Sequence, residues 1–368
     1  MDVRHLYVHL PFCAHRCGYC DFVTAVGRRD EHDAYVDALL AELAQEREHG
    51  TLAQAVETVF VGGGTPTFTE PQALGRVLGA LPRAAEVTVE ANPETVTPSV
   101  AALLREHGVT RVSLGAQSFT PALLDVLDRV AGPDDVRRAV HHLRDAGFDN
   151  ISLDLVYGIP GQEPADLDAD LAGALALEPE HLSCYELEAK PGTRFTHRHG
   201  DELARQAEAM EGYAERVVAT LTGAGYRWYE TANFCRDVGG LELRARHNLA
   251  IWHGRDYLGV GVGAVSTLGL ERRRNLPSVG RYVAALAAGA SPPREVERLD
   301  ERTRAVERLM LGLRLDEPLP LTGLGEIVAD GALARLVERG VVERDERGIR
   351  LARHARLLGG GVTAELLA

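Results

Sequence analysis

Three of the five cysteines fall within eight positions, as Cys13-x-x-x-Cys17-x-x-Cys20. An odd count clustered in this way is no disulfide framework, and in a reducing compartment it points to metal. Three thiolates on one loop can meet three irons of a cubane cluster and leave the fourth iron open. Soft sulfur is what such irons prefer. A tetrahedral zinc ion would need a fourth ligand, from His9, His15 or a distant cysteine. Three unrelated buried cysteines are the bland alternative. Cys184 and Cys235 stand alone and read as structural.

A second feature is Gly62-Gly63-Gly64-Thr65-Pro66, directly after a strand-like run. Glycines there let the backbone approach a ligand closely and leave N–H and C=O groups free to bond it. Glu90, Gln117 and Asp154 lie at, after or near the ends of later strand-like runs. Taken singly, each charged member reads as a solvated charge or a rim salt bridge. Only a shared face together with a family spacing reverses that reading.

The elements that must hold these residues alternate along the chain. Strand-like runs at 5–10, 57–61, 86–90, 111–114, 150–156, 181–187 and 227–230 are separated by amphipathic segments such as 34–48, 71–81, 99–106, 134–145 and 166–177. Parallel strands need long crossover connections, so this repetition predicts a parallel sheet wrapped by helices. The fold class is α/β; a full or partial (β/α) barrel fits better than an open doubly wound sheet, with the chemistry at the C-terminal ends of the strands. The cysteine loop, the glycine run, Glu90, Gln117 and Asp154 all fall there.

The alternation fades near residue 235, which sets a barrel domain at 1–235 and a connecting, substrate-side segment at 236–298. Residues 299–368 change pattern. Helix-like 303–313 and 331–339, then two strands within 341–351, predict a winged-helix-like α+β module. The formal net charge of -14 excludes a broad electrostatic preference for nucleic acid or anionic membrane. No nucleic-acid partner is expected, and the module reads as one for protein packing. No apolar run reaches the roughly 20 residues of a membrane span. The N-terminus lacks a secretory pattern, so a cytoplasmic protein is expected, with transient contact to membrane proteins at most.

The cysteine spacing, with Tyr19 before the last cysteine, and the glycine run after the second strand resemble the radical S-adenosylmethionine superfamily. Further stretches narrow the resemblance to its oxygen-independent coproporphyrinogen III oxidase-like branch. They are Tyr7–Cys13 (YVHLPFC), Glu90-Ala91-Asn92-Pro93, Gly115-Ala116-Gln117-Ser118-Phe119, the run from Asp154 to Gln162, His181-Leu182-Ser183-Cys184-Tyr185, Pro191-Gly192-Thr193, Tyr229-Glu230-Thr231-Ala232-Asn233-Phe234 and Arg246-His247-Asn248 with Trp252. The resemblance implies a [4Fe–4S] cluster on Cys13, Cys17 and Cys20. Its open iron chelates S-adenosylmethionine, which reduction can cleave to a 5′-deoxyadenosyl radical. It implies Tyr7 and Tyr19 beside the cluster and adenine, and Gly63, Gly64 and Thr65 at the methionine end. Glu90 is implied at the ribose, and Gln117, Arg129 and Asp154 fix carboxylate and ribose. A carboxylate suits hydroxyls, and an arginine fork suits a carboxylate.

Two subgroups of the branch compete. In the oxidases a further cysteine follows two residues after the motif; here that position is Phe22. They also carry an N-terminal extension, and this sequence starts six residues before Tyr7. Both departures resemble the heme chaperone subgroup. That resemblance implies heme as ligand or cargo, a heme-accepting protein, an electron donor for the cluster, and His247 as candidate axial ligand. His247 as a structural histidine is the equal alternative. Histidines often found in the subgroup are replaced by Ala131 and Val265. Oxidative decarboxylation of coproporphyrinogen III is the rival function.

Overall fold

The computed structural model describes residues 3–190 and 194–367; Pro191-Gly192-Thr193 of the resemblance lies outside them. The strands β1 (His5–Leu10), β2 (Ala55–Gly63), β3 (Arg83–Ala91), β4 (Arg111–Gln117), β5 (Ile151–Tyr157), β6 (His181–Glu186), β7 (Tyr226–Glu230), β8 (Asn233–Arg236) and β9 (Leu258–Val260) form one nine-stranded sheet. Its order is β9-β1-β2-β3-β4-β5-β6-β8-β7. β1 to β6 and β9 run parallel, and β8 is antiparallel between β6 and β7. The edges β9 and β7 do not pair, so the barrel is partial.

Helices α1 (His32–Glu48), α2 (Pro71–Ala80), α3 (Pro98–Glu106), α4 (Pro121–Val126), α5 (Pro133–Asp145) and α6 (Pro164–Leu175) cross between parallel strands. The last five begin at a proline, whose fixed φ and missing N–H suit the first helical position. They bury the outward side chains of the strands, such as Leu6, Val8, Val59, Val61 and Val89. The inward positions are polar at every second residue: Arg111 and Ser113 in β4, Ser152 and Asp154 in β5, His181 and Ser183 in β6. The registers Ser113↔Ser152, Asp154↔Ser183 and Ser152↔His181 line these up as neighbours.

One boundary differs from the sequence reading. β9 comes from the segment expected as a connecting, substrate-side one, and pairs Leu6, Tyr7 and Val8 with Leu258, Gly259 and Val260. The barrel sheet therefore extends beyond residue 235. Three residues are too short to show a period, and the strand is held by close approach. A Cβ on Gly259 would meet the Val265 carbonyl oxygen at 2.1 Å.

α7 (Arg194–Gln206) and α8 (Met210–Gly223) precede β7, and α9 (Arg246–Trp252) precedes β9. The C-terminal part has helices at Glu301–Gly312, Asp330–Glu338 and Gly359–Leu366 and a hairpin Val342–Asp345/Gly348–Leu351 around its own core of Leu309, Leu319, Leu333 and Ile349. It docks on the β7 edge. Arg227 pairs with Asp316, Arg314 with Glu230, and the Arg356 guanidinium lies 4.0 Å over the Trp228 ring.

Candidate active site

The loop after β1 is pinned at both ends. Phe12 and Cys13 pair with Ala25 and Val26, and the Gly18 N–H donates to the Leu127 carbonyl at 3.4 Å. All three thiols are free, Cys13 buried and the other two half-buried. Thr65 Oγ1 donates to Cys13 Sγ at 3.6 Å, and Arg129 Nη1 donates to Cys17 Sγ at 3.5 Å. The Phe22 backbone N–H serves Cys20, while its ring is 65% exposed. Burial pushes the Cys13 thiol up to about 11, and raises Cys20 as well. A coordinating cation reverses that preference by holding the thiolate.

The glycine run does something other than leave its N–H groups free. Gly63 N donates to Glu90 Oε2 at 3.1 Å, Gly64 N to the Leu10 carbonyl at 2.8 Å, and Thr65 N to the Phe12 carbonyl at 2.8 Å. All three amides are thus engaged within the protein. What the glycines provide is close packing: Gly63 has φ +111°, and a Cβ on Gly64 would meet the Pro11 backbone at 2.6 Å. An ammonium group placed here would need acceptors, which the carbonyls, the Thr65 hydroxyl and Glu90 can supply.

Glu90 and Asp154 both face the barrel interior. Burial, then the Asp154 charge, raise the Glu90 carboxyl to about 7. Burial also raises Asp154, against the opposing pull of Arg111 and of hydrogen bonds from Ser183, Ser113 and Ser152. Gln117 has φ +65° at a bulge where β4 slips against β5. Such a conformation persists where surrounding contacts over-determine it, and a bulge re-aims the side chain. Arg129 Nη2 donates to the Gly115 carbonyl at 2.7 Å and to Asn92 Oδ1 at 3.0 Å. Tyr19 packs against a small apolar cluster that includes Leu123, Leu127 and Phe195. The Tyr7 hydroxyl meets His9 Nδ1 at 3.0 Å, while His9 Nε2 meets the Val23 carbonyl at 2.8 Å. With Nε2–H donating, Nδ1 accepts, and burial lowers this neutral imidazole to about 4. Both His9 nitrogens are engaged, so it offers no ligand position to a metal at the loop.

His247 is not at this mouth. It opens α9 at the other end of the strands, where its Nδ1 meets Thr58 Oγ1 at 2.9 Å and its N–H donates to Glu86 Oε1 at 3.0 Å. Thr58 also meets His5 Nδ1. The Phe60 ring lies 5.4 Å from His247 and 6.2 Å from Tyr7, between the barrel floor and the mouth. His247 is 2% exposed, and its Nε2 has no hydrogen-bond partner among the described residues.

Beneath the mouth lies a network that sequence reasoning passed over. Arg111 Nη2 and Ser152 Oγ both meet His181 Nδ1, and His181 Nε2 meets the Tyr229 hydroxyl at 2.8 Å. The signal was available: polar residues at every second position of otherwise apolar strands must face the interior when helices cover the outside. Asn92, quoted as motif but given no role, bridges Arg129 and Thr65.

Three thiols with one donor each suit a cluster's sulfur ligands. Among the described residues, no three His, Cys, Asp or Glu side chains gather as ligands of one ion. Thiols that each hold a different iron are not required to. Glu90, Asp154, Arg129 and two tyrosines around the same mouth match a ligand carrying ribose, ammonium and carboxylate groups. The barrel and mouth are of the class described by the Radical SAM superfamily profile, which matches residues 7–172; the HemN C-terminal domain profile matches 299–358.

The chain is 36% identical to the heme chaperone HemW of Mycobacterium tuberculosis, over 98% of this chain and 94% of that one. It is 32% identical to the Bacillus subtilis heme chaperone HemW over 99% of both, and 32% to that of Escherichia coli over 96% and 95%. Among solved structures, the Escherichia coli coproporphyrinogen III oxidase HemN superposes with a TM-score of 0.81 at 24% identity, covering 99% of this chain and 90% of that one. This chain belongs to the heme chaperone HemW family of radical SAM proteins. Membership of the superfamily implies a [4Fe–4S] cluster and S-adenosylmethionine.

Proposed function

We propose that the protein is a heme chaperone, binding heme and passing it to an acceptor protein in the cytoplasm. The observation that carries this reading is full-length identity to proteins named for that role. Phe22, standing where the oxidases have a further cysteine, supports it.

In this reading Cys13, Cys17 and Cys20 hold the cluster. Glu90, with the carbonyls of the glycine run, accepts from the ammonium group and the ribose, and Arg129, its Nη2 held by Gly115 and Asn92, offers its remaining N–H groups to the carboxylate. Gln117 and Asp154 complete the ribose contacts, and Tyr7 and Tyr19 wall the adenine side. When bound, the cluster supplies one-electron reduction of the sulfonium, drawing on an electron donor; in a chaperone the same pair serves equally to regulate. His247 is the proposed axial ligand through Nε2, the ring nitrogen left without a partner. That assignment requires the α9 end of the barrel to open, since the ring is buried and lies against Phe60.

The test is anaerobic titration of the reconstituted protein with heme, followed by absorption, with and without S-adenosylmethionine. Saturable uptake and transfer to an apo-hemoprotein are expected. No uptake removes the reading. Incubation with coproporphyrinogen III, S-adenosylmethionine and a reductant decides the rival, because protoporphyrinogen would identify an oxidase.

A further inference from the structure

Each thiol of the cysteine loop has one hydrogen-bond donor, and two of those donors are held by one side chain. Asn92 Oδ1 accepts from Arg129 Nη2 at 3.0 Å, and Asn92 Nδ2 donates to Thr65 Oγ1 at 3.1 Å. This orientation of the amide is forced, because a guanidinium has no acceptor to offer Nδ2. Arg129 Nη2 also donates to the Gly115 carbonyl at 2.7 Å, which fixes the fork with Nη1 3.5 Å from Cys17 Sγ. The amide also sets the direction of the other arm. Thr65 Oγ1 accepts from Asn92, so its single proton is left for Cys13 Sγ at 3.6 Å. One amide therefore aims two donors at two sulfurs.

We propose that Asn92 is a positioning residue that, through Thr65 and Arg129, raises the reduction potential of the cluster held by Cys13 and Cys17. The inference rests on the cluster assignment made under Proposed function. Hydrogen bonds to cluster sulfurs are among the determinants of potential, since a donor stabilises the more negative, reduced state. Asn92 acts on the sulfurs at one remove, and its carboxylate analogue reverses the Thr65 arm. An Asp at this position accepts from both neighbours, so the Thr65 proton turns away from Cys13.

The experiment is an EPR-monitored redox titration of anaerobically reconstituted full-length protein without S-adenosylmethionine, with iron and sulfide content measured on each sample. Thr65→Val should make reduction about tenfold less favourable, a negative shift of 59 mV for one electron. Thr65→Ser, which keeps the hydroxyl, should restore the wild-type potential. Asn92→Asp should shift further negative than Thr65→Val, through the added charge. A wild-type potential in Thr65→Val overturns the proposal. Loss of the cluster in Thr65→Val also overturns it, because deleting a donor that only tunes leaves all three thiolates. Absence of a cluster in the wild type would instead remove the assignment on which the proposal rests.

Discussion

The Glu90 carboxylate accepts the Gly63 backbone N–H at 3.1 Å, so the glycine run and the third strand are fastened to each other at the mouth. The same carboxyl is raised to about 7, by burial first and then by the Asp154 charge. Accepting ribose hydroxyls or an ammonium group favours the ionised form, so binding below that pH must release a proton. The affinity for S-adenosylmethionine should rise roughly tenfold per pH unit up to about 7 and then level. Glu90→Gln should bind more weakly and flatten the profile. Anaerobic calorimetry in buffers of different ionisation enthalpy measures the proton directly, and a flat wild-type profile would refute the assignment. Without ligand the sign is opposite. A carboxyl held above its unfolded value of 4.5 costs stability as pH rises from there towards 7.

Gly64 is where the glycine run cannot yield. A Cβ there would lie 2.6 Å from Pro11 backbone atoms, not from a flexible side chain. Gly64→Ala should cost about 3 kcal/mol, at the upper end of overpacking effects, and displace Thr65 from Cys13. Chemical denaturation gives the first effect, and loss of reconstituted iron gives the second. A fully stable variant with a normal cluster would show that this packing is dispensable.

His247→Ala separates structure from ligation. Removing a buried ring and its Thr58 bond should cost about 2–3 kcal/mol in urea denaturation. If Nε2 is the axial ligand, heme absorption should be lost as well. Iron and sulfide content should stay at wild-type levels, because the ring sits at the floor and the cysteines at the mouth. Equal heme uptake by wild type and variant would remove His247 as ligand and leave it structural.

Arg356 clamps the C-terminal module. Its Nη1 donates to the Trp228 carbonyl at 2.5 Å and its plane covers the Trp228 ring. Burial lowers this guanidinium to about 10. Arg356→Ala should lower stability by roughly 2 kcal/mol through the lost cation–π contact and an unpaired carbonyl. It should also open cleavage sites near residue 299 to limited proteolysis. Protection equal to wild type would mean that the Arg227–Asp316 and Arg314–Glu230 pairs hold the module without it.

The sequence by itself determined the local rules. Strand–helix alternation gave a barrel-like parallel sheet wrapped by helices, and the cysteine spacing with the glycine run named a superfamily. These are legible because they repeat or sit close together in the chain. The tertiary structure decided what depends on partners far apart. It engaged the Gly63, Gly64 and Thr65 amides within the protein, added Leu258–Val260 to the sheet, and placed His247 at the floor with Phe60 between it and Tyr7. It also gave Asn92 its place between Arg129 and Thr65, 37 and 27 residues away. Hydrogen bonds across such separations leave no period in the sequence, because only the register of neighbouring strands brings their ends together.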